Sequence, residues 1–244
     1  SDHFVLDADF NGLLLGVDIA APLIRRLEET FPILAIVESP IPQEDVAGNA
    51  ALRRKIASPI AMHFGNPPVM TAIREGVCDG FVIGGGASRV MRDGTLAHHA
   101  KMPFWLQLVG TGLTTMWSVH LGAVLSQARW PAIPGVNIYS HTLLKEFTIS
   151  GGHARVPEGP GLGIEVDWDV VAGFRVDPDY RKPQPREIHT IFWPDGRQTH
   201  YRDGGYRADF LAGKLPVFLP GIRLERRLDD GSEGFDRTWT ELFG

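Results

Sequence analysis

Cysteine is almost missing from this chain. Cys78 is the single example in 244 residues, so no internal disulfide can form, and the expectation is a reducing, cytoplasmic setting. Long apolar runs are missing too. None approaches the roughly 20 residues that cross a bilayer, and the opening "SDHFVLDADF" has no signal-peptide pattern. Basic clusters are absent, with 24 Lys and Arg against 29 Asp and Glu and a net charge of −5. That excludes the usual electrostatic footprint of a nucleic-acid or membrane surface. No low-complexity tract or charge block occurs. What the chain does have is 43% hydrophobic residues, enough for a sizeable core. It enters a strand pattern within three residues of Ser1, and material in front of Ser1 is expected.

One rhythm runs from Phe4 to Trp130. Short apolar runs at 4–9, 33–39, 59–64, 80–85 and 103–109 read as strands. Between and after them, residues 18–31, 49–57, 67–77, 88–102 and 113–130 read as helices. In the first helix Ile19, Leu23, Ile24 and Leu27 fall at helical spacing. The strands are apolar on both faces, as strands buried between two layers are. Alternation at this pace predicts parallel strands with helical crossovers. Five β/α units, about 25 residues each, fall short of the eight strands of a closed barrel. The fold expected is therefore α/β, an incomplete (β/α)8-type barrel over 1–174. "GVNIYSH" (135–141) is a possible sixth strand. A β-rich extension is expected over 175–244, including a hairpin at 186–202 that turns at Pro194-Asp195-Gly196.

Chemistry in parallel α/β folds gathers at the carboxyl ends of strands. "ILAIVESPIP" (33–42) is telling, because five apolar residues run straight into Glu38 and a proline follows two positions later. Asp7 and Asp9 end the first strand and His63 the third. Gly84-Gly85-Gly86 end the fourth, Gln107 lies at the fifth, and Tyr139 and His141 at the possible sixth. Asp7 to Glu38 is 31 positions and Glu38 to His63 is 25, one β/α unit each, so the three side chains would stand on neighbouring strands at one mouth. Converging carboxylates repel unless a cation joins them, and hard oxygen donors suit Mg²⁺. The competing reading makes them strand-end acids that cap the following helices.

These residues carry a resemblance. Asp7-Ala8-Asp9, "VESPIP", the "PIA" strand, "SVHLGAVLS" (118–126) and above all "VPEGPGLGIEVD" (156–167) resemble the mandelate racemase and muconate-lactonizing branch of the enolase superfamily, over about residues 4–170. The resemblance implies a capping domain followed by a modified (β/α)7β barrel. It also implies Mg²⁺ held by three acids at successive strand ends, and removal of the proton α to a carboxylate with an enediolate stabilised on the metal. Position by position, Asp7 matches the first ligand and Glu38 the second, and Asp9 follows the first. His63 stands where the third acid belongs. The Asp and His of a racemase-type pair would fall near 83–86 and 106–108, where this chain has glycines and Gln107. A basic lysine is likewise missing there. The capping domain and first barrel strand would precede Asp7.

Two functions compete on this reading. In one, Asp7, Glu38 and His63 hold a divalent ion, Mg²⁺ or, with a His ligand, Zn²⁺ or Mn²⁺. His63 or His141 is then the acid or base, and Asp9, Gln107 and Tyr139 line the pocket. The substrate would be a small carboxylate, with acid-sugar dehydration or racemisation as the reaction. In the other, the barrel has lost its chemistry and binds a ligand or partner without turnover. His120 reads as structural, His98 and His99 as solvated, Cys78 as apolar filler and the three glycines as backbone clearance rather than a phosphate loop. Apolar clusters at Ile191-Phe192-Trp193, Val217-Phe218-Leu219 and Phe235-Trp239 suggest burial against something, and a homo-oligomer is expected.

Overall fold

The computed structural model describes residues 4–216 and 219–244. They divide into two compact units, one ending at Arg175 and one starting at Val176. Among the described residues no helix is long and apolar enough to cross a membrane.

The first unit is a half-barrel. Its five strands are β1 (Leu6–Asp9), β2 (Leu34–Glu38), β3 (Ile60–His63), β4 (Gly80–Ile83) and β5 (Phe104–Leu106). They pair in parallel, in chain order. Five helices alternate with them: α1 (Val17–Thr30), α2 (Val46–Arg53), α3 (Val69–Glu75), α4 (Ala87–Ala100) and α5 (Gly112–Val124). Sequence punctuation sets several ends. Asp45 caps α2 by accepting from the Gly48 N–H at 2.8 Å. Gly76 ends α3 in the left-handed region, at φ 62. At the amino ends of the strands, Asp79 Oδ2 accepts from Ile60 N at 2.8 Å while its Oδ1 accepts from Arg53 Nε at 2.8 Å.

Register decides which side chains share the inner face. Asp7 pairs with Ile36, Asp9 with Glu38, Glu38 with Ala61, His63 with Val82 and Val82 with Trp105. Side chains alternate along a strand, so these all point one way. Ile36, Ala61, Val82 and Trp105 make a buried apolar floor, with Trp130 and Ile133 packed against it. Gly80 is small because a Cβ there would lie 2.3 Å from the Trp130 ring. Above this floor stand Glu38, His63 and Asp9.

The expected sixth strand at 135–141 does not form. Val136–Ile138 is one 3₁₀ turn, entered through Gly135 at φ 60. The stretch just before it lies along β5 instead: Trp130 N donates to Phe104 O, Ile133 N to Leu106 O and Gly110 N to Pro134 O. Pro131 and Pro134 have no N–H, so this edge partner cannot build a regular ladder. Tyr139 and His141 therefore stand on a loop. A short helix, α6 (Trp168–Gly173), closes the unit, capped by Asp167.

In the second unit β6 (Glu187–Phe192) lies between β7 (Gln198–Arg202) and β8 (Arg223–Leu228), all antiparallel. The hairpin turns where expected, with Trp193 N bonded to Arg197 O. Helices α7 (Tyr206–Leu211) and α8 (Glu233–Phe243) accompany the sheet, so two helices join the strands of the β-rich extension. Its apolar clusters are largely used internally. Ile191 and Phe235 are buried, Arg223 stacks on Phe192, and Trp239 stacks on Phe235. That burial removes the ground for expecting self-association at Ile191 and Phe235. Val217 and Phe218 lie outside the described residues.

Candidate active site

Glu38 is where the half-barrel is most constrained. Phe10 N donates to Glu38 O at 3.0 Å, Gly12 N to Ser39 O at 2.6 Å, and Leu14 N to Pro40 O at 3.1 Å. Ser39 N continues the ladder to Ala61 O. Ser39 itself sits at φ 44, a left-handed conformation that a side-chain-bearing residue adopts at a cost of about 1–2 kcal/mol. Pro40 then ends the strand. The loop 10–14 thus holds the backbone from Glu38 to Pro40 on one side while β3 holds Ser39 on the other, and the carboxylate is held rather than free to follow solvent.

The side chain is buried, 2% exposed. Its Oε1 makes no hydrogen bond and lies 3.1 Å from His63 Nε2. This is ion-pair distance without hydrogen-bond alignment, an attraction of charges when His63 is protonated. Asp7 Oδ1 is also buried and has no partner. Burial pushes the Asp7 carboxyl up to about 7, and the charges of Glu38 and Asp9 add to the rise. His63 is raised chiefly by its contact with Glu38; burial opposes the rise, and the charges of Glu38 and Asp9 support it. Asp9 is committed elsewhere, its Oδ1 accepting from Asn11 N at 2.8 Å and its Oδ2 from Asn11 Nδ2 at 2.7 Å.

Three of the expected residues, Asp7, Glu38 and His63, are therefore brought onto one face. Two unpartnered buried carboxylate oxygens, that of Glu38 lying 3.1 Å from an imidazole nitrogen, are the donor chemistry a divalent ion takes, and in that sense the residues fit one. Among the described residues, however, no three His, Cys, Asp or Glu side chains already surround one point. A bound ion would replace the Glu38–His63 attraction.

The remaining expected residues divide. Gln107 lies just past β5, its N–H bonded to Ile83 O, and Tyr139 is 43% exposed. His141 flanks the same end of the sheet, because the neighbouring Thr142 O accepts from Gly112 N at the start of α5. Its Nδ1 accepts from Leu143 N at 3.1 Å. In the neutral ring the proton then sits on Nε2, which makes His141 a donor rather than a ready base. Gly84 provides clearance, since a Cβ would lie 2.8 Å from Gln107 O. His120 is structural: Nε2 reaches Leu162 O at 3.1 Å and ties α5 to the glycine-rich loop. His98 and His99 are exposed on α4.

Two residues escaped the sequence reading. Ser39 carries the strain next to Glu38, and its buried hydroxyl has no partner. Gln43 Oε1 accepts from His63 N at 3.1 Å and fixes the end of β3. A proline two residues after Glu38 was the available signal for the first, and nothing local pointed to the second. Gln43 also lines a notch of about 210 Å³ with Asn11, Gly12, Pro42, Glu44 and Asn66 at this mouth. A larger cavity of about 590 Å³, beneath Arg155 and Ile164, touches none of the cluster.

Comparison with known proteins agrees with this architecture. Residues 2–170 match the family described as enolase C-terminal domain-like. An N-succinylamino acid racemase of Amycolatopsis sp is 33% identical over 175 residues, covering 67% of this chain and 46% of the racemase. The crystal structure of a mandelate racemase/muconate lactonizing family protein from Azoarcus sp. EbN1 is 28% identical with a TM-score of 0.61, over 73% of this chain and 52% of that one. An enolase from Bradyrhizobium, solved with magnesium and mandelic acid, is 25% identical with a TM-score of 0.55, over 71% and 47%. The chain spans about half the length of these relatives.

Proposed function

The chain belongs to the enolase C-terminal domain-like family, in its mandelate racemase and muconate-lactonizing branch, and from that premise we propose that it serves a metal-dependent isomerisation of a small carboxylate. The reaction class is removal and return of the proton α to the carboxylate; these residues would supply the charge stabilisation for it, and the proton would pass to a base other than Asp7, Glu38 and His63, which would hold the ion, and other than His141, whose Nδ1 is occupied by Leu143 N. The observation that carries the reading is the pair of buried, unpartnered oxygens on Asp7 and Glu38, on adjacent strands, with His63 Nε2 3.1 Å from that of Glu38. Asp7, Glu38 and His63 would hold the divalent ion. When bound, the ion supplies the positive charge that a substrate carboxylate needs as its α-carbon loses a proton.

The chain's own residues prepare that step. The clamp of loop 10–14 fixes Glu38 in place. The apolar floor of Ile36, Ala61, Val82 and Trp105 keeps water from beneath the site, which strengthens any charge interaction above it. His141 would offer its Nε2 proton from the rim. Gly84 and Gln107 carry no titratable group, so neither can take the α-proton. The relatives, a racemase and an enolase crystallised with magnesium and mandelic acid, favour isomerisation over acid-sugar dehydration.

A second reading rests on one observation. The Glu38–His63 attraction already compensates the buried carboxylate without any ion, as in a barrel that binds a ligand without turnover. Elemental analysis of the purified protein separates the two. About one divalent ion per chain, lost in Glu38→Gln, is expected. No ion bound after equilibration with millimolar Mg²⁺, Mn²⁺ or Zn²⁺ would sink the first reading. Activity is read as α-proton exchange in D₂O on N-succinylamino acids and mandelate.

A further inference from the structure

The notch of about 210 Å³ at the mouth carries polar groups that the reading above does not use. Asn11, Gly12, Pro42, Gln43, Glu44 and Asn66 line it. Two hydrogen bonds set it beside the carboxylates. Asn11 N turns back onto Asp9, the register partner of Glu38, and Gln43 Oε1 accepts from His63 N. Bonding already made decides what each side chain has left. Carboxylates only accept, so the amide atoms that face them are nitrogens. Asn11 thus spends Nδ2 on Asp9 Oδ2 and keeps Oδ1. Asn66 spends Nδ2 on Glu44 Oε1 at 3.1 Å and keeps Oδ1, while Glu44 keeps Oε2. Gln43 spends its oxygen and keeps its amide nitrogen. We propose that this notch receives a protonated amine, so that the substrate is a small carboxylate that also carries an ammonium group. The proposal rests on the reading of the site above and names the substrate class that reading leaves open.

The argument is one of polarity. The carboxamides of Asn11 and Asn66 and the carboxylate of Glu44 leave three acceptors, against the single amide donor group of Gln43. An ammonium has three donors and no acceptor. A hydroxyl offers one donor and no charge, and leaves the other acceptors to water. No basic side chain lines the notch. A hydrogen bond from its own N–H, and then one from Asn66, hold the Glu44 carboxyl below its usual range, so it is ionised at neutral pH. Asp9 adds a negative charge behind Asn11. An anionic group is repelled there, whereas a carboxylate is attracted to an ion held by Asp7 and Glu38. The two ends of a zwitterion are thereby sorted, one to the ion and one to the notch.

The test is binding by calorimetry to the full chain loaded with Mg²⁺ or Mn²⁺. The probes are γ-aminobutyrate and ε-aminocaproate, two different lengths, each beside its N-acetyl form, which keeps the carboxylate and loses the positive charge. Wild type is compared with Glu44→Gln, Glu44→Lys and a Glu75→Gln control, which removes an equal charge from the exposed last residue of α3. Circular dichroism verifies each fold. Wild type is expected to bind at least one free amine about fivefold more tightly than its acetyl form, the scale of one exposed ion pair reinforced by charged hydrogen bonds. Glu44→Gln is expected to remove most of that preference and Glu44→Lys to invert it, while Glu75→Gln leaves it unchanged. Equal binding of free and acetylated probes to wild type, or a preference that survives in Glu44→Gln, overturns the inference and leaves the carboxylate site standing. Failure of the ion-loaded protein to bind any probe overturns the inference together with the reading it rests on.

Discussion

A buried carboxylate cluster without an ion should make the protein less stable as pH rises. Asp7 ordinarily titrates near 3.8 and in the fold is pushed up to about 7. Between those values the native state binds more protons than the unfolded chain, so stability falls across the window and levels off above about pH 7. Each tenfold change in proton affinity is about 1.4 kcal/mol, which would put the whole effect near 4 kcal/mol. Asp7 is only half-buried, and screening by water cuts the expectation to about 1–2 kcal/mol. His63 acts in the same direction at higher pH. Its raised value contributes stability that is complete below about pH 6.5 and is lost as the pH passes its folded value. The assay is urea denaturation in EDTA from pH 4 to 8, followed by tryptophan fluorescence, on wild type, Asp7→Asn and Glu38→Gln. The stability difference between wild type and Asp7→Asn should move by about 1–2 kcal/mol between pH 4 and 7. Glu38→Gln should reduce both contributions, since Glu38 raises Asp7 by repulsion and His63 by attraction. Parallel curves for wild type and Asp7→Asn would refute the reasoning.

Other expectations concern the frame around the site. Gly80→Ala should cost about 1–3 kcal/mol, because its Cβ meets the Trp130 ring at 2.3 Å and Pro103 O at 2.4 Å; an unchanged urea midpoint would mean the barrel floor can shift. Asp79→Ala strands the Ile60 N–H and the Arg53 guanidinium and should cost about 1–3 kcal/mol in the same assay. Burial pushes the Cys78 thiol up to about 12, so at pH 8 it should resist a thiol reagent until the protein is unfolded, and rapid native labelling would contradict its placement. His120→Phe removes the link to Leu162 O and should speed proteolysis within residues 156–167 while the melting temperature moves little.

The half-barrel was legible because its signals are local. Apolar runs, helical spacing and the Asp, Glu and His at strand ends all lie within single β/α units. The sixth strand misled because "VNIY" looks strand-like while the feature that decides its path is the preceding Pro131 and Pro134, whose neighbours pair with β5. Asp9 looked equivalent to Asp7 in the sequence, and only its turn with Asn11 separates them. Likewise His141 read as a possible base until its Nδ1 was found accepting from Leu143. In the second unit the apolar clusters suggested an outward surface, but Phe235 is buried within that unit, with Arg186 and Arg227 over its ring. Long-range packing of this kind leaves no local periodicity to read.

The strands of the half-barrel stand in the sheet in the order in which they occur in the chain. Each new strand therefore closes only the short loop of its own β/α unit before it finds its neighbour, and short closures are fast and cost little entropy. Asp7, Glu38 and His63 ride on the first three strands. The three strands that carry them thus meet after two such closures, and the end of β3 at His63 is set when β4 pairs with it through Val82. A lesion in α1, α2 or α3 would then slow the arrival of the site itself, whereas one in α5 would leave these closures untouched.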